Sequence, residues 1–225
     1  MTFVDAGCKK PLSMIKINEI FYSIQGESSY AGNPTVFIRT TACNLRCTYC
    51  DTKYSYNEGE FWEIEKVLQV VRDHGAKYIC ITGGEPLLQK EVHTLINILC
   101  DLGHIVSLET SGSLSVKDVD PRVKIILDVK TPDSGAADSF KLENLDFSNE
   151  KTEIKFVICS EKDFDWSENF CRQHDLSKKF TILYSPSHGQ VPERWLAENI
   201  LQKKSKARLH LQLHKYIWLS TTRGV

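Results

Sequence analysis

The sequence predicts an α/β fold in which mostly parallel strands form a partial barrel with fewer helices than strands. Short β-branched segments recur along the chain and are nearly continuous in hydrophobicity, as are strands buried on both faces of a parallel sheet. Cysteines, glycines and charged residues follow several of these segments directly. In a barrel of parallel strands such positions meet at one mouth, where the chemistry takes place. We therefore expect a functional site at that mouth.

The strands are predicted from runs of apolar and β-branched residues. An extended stretch comes first, over residues 15–23, and a β-rich run over 35–41 follows it. The later predicted strands cover residues 78–82, 105–110, 123–129, 154–159 and 181–184. Near the end of the chain Leu209, Leu211 and Leu213 alternate with polar residues, which predicts a strand with one polar face.

Helices are predicted between some of these strands but not between all of them. Phe61, Ile64, Leu68 and Val71 recur at intervals of three and four, and Gly75 ends the pattern. Further helical patterns cover residues 87–102, 164–174 and 192–203. Residues 131–152 show no convincing helical pattern, so the crossovers of the barrel are expected to be incomplete.

Composition describes one ordinary soluble domain. The 225 residues carry a formal charge of −1 and are 41% hydrophobic. Because basic residues do not cluster, we expect no nucleic-acid surface and no anionic-membrane surface, and a small molecule becomes the favoured ligand. The sequence has no apolar signal core and no run long enough to span a membrane, which predicts a cytoplasmic protein. We expect a flexible N-terminal extension over residues 1–14 and a single domain over 15–225.

Three of the eight cysteines, Cys43, Cys47 and Cys50, lie within eight residues. Soft thiolates at this spacing favour zinc or an iron–sulfur cluster. Three ligands leave one coordination position open, although a zinc site completed by a distant Cys or His, or a reduced turn without metal, are alternatives. The remaining cysteines are scattered, and those on predicted strands and helices are expected to be small core residues: Cys80, Cys100, Cys159 and Cys171.

Two motifs together resemble the radical S-adenosylmethionine superfamily. Tyr49 precedes the last cysteine of the trio, and Gly83-Gly84-Glu85-Pro86 follows a predicted strand. The resemblance implies that Cys43, Cys47 and Cys50 hold a 4Fe-4S cluster and that S-adenosylmethionine binds the open iron. Glycine at a strand end suits such a cofactor, because without a Cβ the backbone can approach it closely.

A narrower resemblance, over residues 17–225, is to the 7-carboxy-7-deazaguanine synthase family. The segments that carry it are FYSIQGE at 21–27, AGNP at 31–34 with Phe37 and Arg39, CDTKY at 50–54, QLHK at 212–215 and RGV at 223–225. It implies a lyase that contracts the ring of 6-carboxy-5,6,7,8-tetrahydropterin with loss of ammonia, in queuosine and deazapurine biosynthesis. It also implies magnesium as a cofactor and a modified TIM-like barrel of six strands and three helices.

Site residues follow from this resemblance position by position. The substrate residues it implies are Ile24, Gln25, Gly26, Glu27, Arg39, Thr82 and Val225, and Thr52 is implied as the magnesium ligand. The implied S-adenosylmethionine contacts are Gly84, Asp128, Val129, Lys130, Ser185, Pro186, Ser187 and His188. No catalytic residue is implied beyond the cluster and the cofactor, and Glu109 and Ser111 have no assigned role.

The chemistry of Arg39 and Glu27 suits the substrate-binding roles that the resemblance implies. Arg39 can form a fork on the substrate carboxylate, and Glu27 can accept from the amino and N–H edge of a pterin. As alternatives, Glu27 and Arg39 pair with each other or lie on a solvated face, and Asp128 pairs with Lys130 or another basic residue. Thr52 is alternatively a turn or helix cap, and Ser185-Pro186 an ordinary turn at the end of a strand. For Val225, the resemblance implies that the terminal carboxylate is a substrate acceptor.

Partners are also implied by the resemblance. We expect an electron donor such as a flavodoxin or a ferredoxin, and a homodimer. Two rival functions share parts of the pattern: a glycyl-radical activase, which has the cysteine loop and the glycine-rich strand end, and a non-enzymatic module stabilised by zinc. The segments around Gln25, Glu27 and Arg39 argue against the activase.

Overall fold

One open sheet organises the protein. The structure is a computed structural model that describes residues 13–219 and 222–225. Its strands are β1 (Met14–Ile24), β2 (Pro34–Thr40), β3 (Glu60–Glu63), β4 (Tyr78–Gly83), β5 (Ile105–Thr110), β6 (Lys124–Asp128), β7 (Glu153–Ile158), β8 (Thr181–Pro186) and β9 (Arg208–Leu209). Its helices are α1 (Ile64–His74), α2 (Glu91–Asp101), α3 (Asn144–Phe147), α4 (Glu161–Gln173), α5 (Glu193–Gln202) and α6 (His214–Ile217).

The described strands form a nine-stranded sheet in the order β3-β1-β2-β4-β5-β6-β7-β8-β9, which does not close. From β2 through β8 the neighbouring strands in this order run parallel, and α1, α2 and α4 cross between them. The predicted partial barrel of six strands and three helices is therefore confirmed as the core of the fold. Antiparallel β1 and β3 extend one edge, and the two-residue β9, preceded by α5, extends the other.

The two faces of the parallel sheet differ in chemistry because successive side chains point to opposite faces. One face is apolar and packs against the helices, as Ile38, Ile81 and Leu108 do with no exposed area. The other face places Arg39, Thr82 and other polar side chains around a cavity. The crossover helices α1, α2 and α4 pack on the apolar face, so the polar inner face is free to carry a charged site.

The first predicted helix starts too early. Phe61 lies in β3, which pairs antiparallel with β1, and its side chain is 66% exposed. The prediction that this residue belongs to the helix is wrong, because edge pairing with β1 captures residues 60–63 before α1 begins at Ile64. The end of the helix is confirmed, since Gly75 adopts the left-handed conformation that suits glycine, at φ 60°.

The predicted strand over residues 209–213 is wrong beyond its first residue. β9 ends at Leu209, and the chain turns into α6 at His214. Leu209 and Leu213 are exposed, whereas His210 is buried. The alternation therefore does not bury the leucines: two of them reach solvent, and a polar residue is enclosed instead.

The remaining sequence-based boundaries fall partly outside the described residues. Cys8 and nearly all of the predicted extension over 1–14 lie there, and β1 begins at Met14. The division into an extension and a single domain stays a prediction. Among the described residues, no helix is both long enough and apolar enough to cross a bilayer.

Candidate active site

A cavity of about 760 Å³ opens where the parallel strands end. The predicted site residues that line it are Ile24, Gln25, Glu27, Arg39, Cys43, Cys47, Cys50, Thr52, Thr82, Gly84, Asp128, Lys130, Ser187, His188 and Val225. Four other predicted residues do not line it: Gly26, Val129, Ser185 and Pro186. The structure thus brings most of the predicted set to one place, at the mouth expected for a parallel barrel.

The cysteine loop follows β2 and presents all three thiols to the cavity. Cys43, Cys47 and Cys50 are free thiols, and the backbone N–H of Leu45 donates to Cys43 Sγ at 3.4 Å. Burial raises the pKa of the Cys43 and Cys47 thiols. A bound metal centre would supply the positive charge that these thiolates need.

The spacing of the thiols bears on the kind of metal centre. Among residues 13–219 and 222–225, no three His, Cys, Asp or Glu side chains gather closely enough to hold one metal ion. A single zinc ion requires such convergence. An iron–sulfur cluster does not, because its thiolates bind different irons, and N–H donors to the sulfurs are usual. The soft thiolates of this one loop have the donor chemistry that iron–sulfur clusters use.

One flank of the cysteine loop is held by a buried carboxylate. Glu85 has no exposed area and accepts hydrogen bonds from Thr110 Oγ1 at 2.7 Å and from Ser111 Oγ at 2.6 Å. The chain of bonds continues through Ser113 to Asn44 in the loop, where Asn44 Nδ2 lies 3.0 Å from Ser113 Oγ. Ser111, which had no role in the sequence analysis, therefore connects the loop to the end of β5.

The other flank rests on the segment after β6. Thr48 donates from Oγ1 to the Asp133 carbonyl at 2.8 Å and from its N–H to the Ser134 carbonyl at 3.0 Å. That segment is fixed in turn by the fully buried Asp163, which accepts from Thr131 Oγ1 and from the Asp133 N–H. Two independent networks therefore set the position of the cysteines.

Gly84 packs directly against the cysteine loop. A Cβ added there would lie 2.2 Å from the Ala42 carbonyl oxygen and 2.8 Å from Cys43 Cβ. The neighbouring Glu85 N–H donates to that same carbonyl at 2.8 Å. Glycine is thus required at this strand end by the loop itself, whatever role its backbone has toward a cofactor.

Glu27 does not pair with Arg39. Its carboxylate contacts Lys155 Nζ and accepts from Gln212 Nε2 at 2.8 Å. Burial alone would raise the pKa of Glu27, but Lys155, with smaller contributions from His210 and His214, holds it well below its usual range. The Glu27 side chain is therefore a carboxylate at neutral pH.

Lys155 is a site residue that the sequence analysis missed. Its Nζ lies 3.4 Å from Asp128 Oδ2, and the Lys130 Nζ lies 3.1 Å from the other oxygen of Asp128. Burial would raise the pKa of Asp128, but Lys130 and Lys155 hold it below its usual value. The one available signal was a lysine inside an apolar strand, since every residue of β7 is buried.

Arg39 pairs with a residue that the sequence analysis did not consider. Its Nε donates to Glu19 Oε1 at 2.7 Å, and the Tyr54 hydroxyl donates to the same oxygen at 2.9 Å. Beside Arg39, the rings of Phe21 and Phe37 stack with centres 4.8 Å apart, and both line the cavity. The substrate side of the cavity thus combines a cation with an aromatic wall.

Thr82 and Gln25 complete the inner wall. Thr82 donates to Glu109 Oε2 at 2.9 Å, and burial together with the nearby Glu27 carboxylate raises the pKa of Glu109. Gln25 Nε2 is buried and, in the described part of the chain, meets no hydrogen-bond criterion, the Cys80 thiol being the one weak acceptor near the Gln25 side chain. An unpartnered buried donor is costly, so Gln25 is suited to bind an acceptor on a ligand.

Thr52 lies at the rim, next to the last cysteine. It precedes a short 3₁₀ helix, Lys53–Tyr56, but its side chain makes no capping hydrogen bond. Its hydroxyl is 3.8 Å from Cys50 Sγ. The hydroxyl therefore has no capping role, but the Thr52 carbonyl accepts from the Ser55 N–H at 2.9 Å, so the residue does begin the turn that was one alternative to a metal ligand.

The C-terminal segment closes the substrate side. Leu213 N–H donates to the Gly26 carbonyl at 3.0 Å, and a Cβ on Gly26 would lie 2.2 Å from His214 Nδ1. Lys215 Nζ lies 2.7 Å from Asp51 Oδ2, and Val225 lines the cavity. The C-terminal segment thus packs directly on Gly26, which does not line the cavity itself. Gly26 nevertheless lies on the substrate side of the cavity, as predicted.

Similarity to known proteins agrees with this geometry. The model of the radical SAM superfamily matches residues 37–133. A 7-carboxy-7-deazaguanine synthase of Chlorobaculum tepidum is 42% identical over 94% of this chain and 97% of its own length. The chain belongs to the 7-carboxy-7-deazaguanine synthase family. Another relative of that name, from Koribacter versatilis, is 41% identical over 94% of this chain and 100% of its own length. The resemblance found in the sequence is therefore confirmed.

Solved structures show the same fold outside close relatives. The structure of QueE from Escherichia coli has a TM-score of 0.74 at 24% identity, and the match covers 89% of this chain and 95% of that chain. A structure of TYW1 with a lysine-pyruvate adduct matches with a TM-score of 0.55 at 14% identity, over 77% of this chain and 74% of that chain. The fold of this chain is thus shared by proteins of low sequence identity to it.

Proposed function

We propose that the protein converts 6-carboxy-5,6,7,8-tetrahydropterin to 7-carboxy-7-deazaguanine with release of ammonia, as a radical lyase of queuosine and deazapurine biosynthesis. One observation carries the proposal beyond family membership. A single cavity is lined both by the three cysteine thiols and by the side chains of Gln25, which is buried, and of Glu27 and Arg39, which are part-buried. A radical reaction needs its source and its substrate in reach of each other, with other donors excluded.

The cysteine side of the cavity is proposed to hold the cofactors. Cys43, Cys47 and Cys50 would bind a 4Fe-4S cluster. S-adenosylmethionine would lie beside it, at Gly84, Asp128, Val129, Lys130 and the residues 185–188. When bound, these groups supply a carbon radical able to abstract hydrogen from the substrate. The Val129 side chain belongs to the apolar core, so its contact would be through the main chain.

The opposite side is proposed to hold the pterin. Arg39 would bind the substrate carboxylate, since a guanidinium forms paired charge-assisted bonds with it. The Glu27 carboxylate would accept from the amino and ring N–H groups, while Gln25 Nε2 and the Thr82 hydroxyl complete the polar contacts. Ile24, Gly26 and Val225 would surround the same ring. These residues orient the substrate, and hydrogen abstraction itself requires no side chain.

Magnesium is a further part of the proposal. Thr52 would supply one hydroxyl ligand, and water and substrate oxygens would fill the rest of an octahedral shell. Thr52 lines the cavity, and its hydroxyl makes no capping hydrogen bond to the following helix, which supports this role. Because the threonine side chain is uncharged, the metal would bind mainly together with the carboxylated substrate.

Reaction partners are proposed from the chemistry. The cluster requires a one-electron donor, and a flavodoxin or ferredoxin is a suitable protein of that class. We propose a homodimer on the family resemblance alone. The described cysteines are free thiols, which supports a reducing, cytoplasmic setting.

The decisive experiment is anaerobic incubation of the reconstituted protein with reductant, S-adenosylmethionine and the carboxypterin. The expected products are 7-carboxy-7-deazaguanine, ammonia and 5'-deoxyadenosine, identified by mass spectrometry. Reactions without the carboxypterin are the control. If protein with a full cluster cleaves S-adenosylmethionine but leaves the carboxypterin unchanged, the proposed function is wrong, and the glycyl-radical activase becomes the better hypothesis.

A further inference from the structure

Lys155 lies where the substrate side of the cavity meets the cofactor side. Its side chain is 9% exposed and projects from β7 into the cavity. Nζ contacts Glu27 on the substrate side and lies 3.4 Å from Asp128 Oδ2 on the cofactor side. Among the described residues, these two carboxylates are its salt-bridge partners. The Lys155 ammonium thus bridges Glu27, which is proposed to bind the pterin, and Asp128, which is proposed to bind S-adenosylmethionine.

The charge balance around this ammonium is delicate. Three part-buried carboxyl groups, Glu27, Glu109 and Asp128, come from three different parts of the chain, and the Glu27 carboxylate raises the pKa of each of the other two. Burial opposes the charged form of each of them. Without a cation between them, one or more of these carboxyl groups would take up a proton.

We propose that Lys155 is a positioning residue that keeps Glu27 as an oriented carboxylate for the substrate and ties it to Asp128 on the cofactor side. The inference rests on the proposed function, because Glu27 has this task only if the pterin binds there. It adds a residue for which the family resemblance in the sequence implies no role.

The other charged and titratable groups facing Glu27 do not replace Lys155. Glu109 on β5 and Asp128 on β6 are acids, and His210 and His214 come from the C-terminal segment. Burial lowers the pKa of both histidines, so near neutral pH they supply far less positive charge than the Lys155 ammonium does. Among the groups that lower the pKa of Glu27, Lys155 has the largest effect.

The test uses Lys155→Met, which keeps the length of the side chain and removes its charge. Affinity for oxidised 6-carboxypterin, a non-reacting analogue, is measured by calorimetry on the reconstituted protein. In Lys155→Met, burial raises the pKa of Glu27 toward neutrality, so a fall from about pH 8 to about pH 6 should weaken binding roughly tenfold. The wild type should change less than about twofold, because its Glu27 keeps its charge over that range.

Lys124→Met is the matched control. Lys124 also projects from a central strand and forms a part-buried pair with Glu153, at 3.0 Å, but neither residue lines the cavity. The same substitution there should leave the analogue affinity and its pH profile like those of the wild type. Lys155→Arg, which retains the charge, should restore the flat profile.

Two outcomes overturn the inference. One is a Lys155→Met protein that binds the analogue as the wild type does, and the other is one that binds more weakly by the same factor at both pH values. A wild-type protein with a full cluster that does not bind the analogue instead contradicts the proposed function itself.

If Lys155→Met does not fold, a second comparison still tests the inference. Glu27→Gln and the double variant Glu27→Gln/Lys155→Met should bind the analogue equally within about twofold, since Lys155 acts through Glu27. A further loss of more than about fivefold in the double variant would show that Lys155 acts by another route.

Discussion

The guanidinium carbon of Arg223 lies 3.7 Å from the centre of the Tyr54 ring. Arg223 also pairs with Glu58, at 3.0 Å between Nη1 and Oε2. The Tyr54 hydroxyl in turn donates to Glu19, which accepts from Arg39 as well. The C-terminal segment is thereby connected, through one tyrosine, to the side chain proposed to bind the substrate carboxylate.

Arg223→Ala should weaken substrate binding. Loss of the ring contact and the exposed ion pair removes about 1 kcal/mol from the anchoring of this segment, so the Michaelis constant for the carboxypterin should rise roughly fivefold. Iron content should stay normal. Arg122→Ala is the control, since Arg122 pairs with Asp101 and Asp120 away from the cavity. An unchanged Michaelis constant would show that the segment is held without Arg223.

Each of the three loop cysteines should be needed for the cluster. A site with three protein ligands has no spare thiolate, so Cys43→Ala, Cys47→Ala and Cys50→Ala should each lose the brown absorbance and nearly all iron. Absorbance and iron analysis after anaerobic reconstitution measure this. Cys100→Ala, on the far side of the sheet in α2, should keep both. Wild-type iron in Cys47→Ala would contradict the cluster assignment.

Glu27→Ala and Arg39→Ala should separate cofactor cleavage from product formation. Both residues lie on the proposed substrate side, so slow formation of 5'-deoxyadenosine should continue while 7-carboxy-7-deazaguanine falls by about 100-fold, as expected when a charged contact is lost. Quantifying both compounds in the same reaction gives the ratio. Arg72→Ala, which removes an exposed pair with Glu65, is the control. If both variants form 7-carboxy-7-deazaguanine and 5'-deoxyadenosine in the same ratio as the wild type, the pterin binds elsewhere.

Magnesium should act through Thr52. Thr52→Ala removes one ligand from a demanding octahedral shell, so stimulation of the initial rate by magnesium should disappear. Thr52→Ser retains a hydroxyl and should retain the stimulation. If the alanine variant responds to magnesium as the wild type does, Thr52 is not a ligand.

His210 should make the unfolding free energy depend on pH. Its Nε2 accepts from the Ser28 N–H at 2.7 Å, and burial lowers its pKa, with Glu27 opposing the shift in part. The unfolded protein therefore binds a proton more readily, so stability should fall as the pH drops below about 6.5.

Denaturant unfolding at a series of pH values measures this effect. The variant His210→Gln should be less stable at neutral pH by about 1 kcal/mol, through loss of the hydrogen bond, but its stability should decline less toward acid. His93→Gln, in α2 and far from the cavity, should keep the wild-type slope. Parallel slopes for wild type and His210→Gln would contradict the assignment.

The parallel strands could be predicted because each is a short β-branched run with a polar turn after it. The predicted strand over 105–110 coincides with β5, and the one over 78–82 falls one residue short of β4. The segment over 209–213 could not be assigned correctly from alternation. Alternation separates polar from apolar residues, but it does not show which of the two sets is buried. Here the polar His210 is buried, and Leu209 and Leu213 are exposed.

The site was predictable where several rare residues stand close together in the chain, as in the cysteine loop. Lys155 and Glu19 could not be found this way. Each is a single charged residue in a strand. Lys155 matters because it pairs with Glu27, which is far from it in the sequence, and Glu19 matters because it pairs with Arg39, which lies on another strand. Such pairs become visible only when the sheet brings distant strands together.

The contacts that close the substrate side join the two ends of the described chain. Ser28 and His210 are 182 residues apart, and Glu27 and Gln212 are 185 apart. Closing loops of this length is entropically costly and slows folding, whereas helices and neighbouring strands form through shorter loops. During refolding, the helical signal should therefore return before the ability to bind the pterin. We therefore expect the pocket to be the part of this molecule that is assembled last.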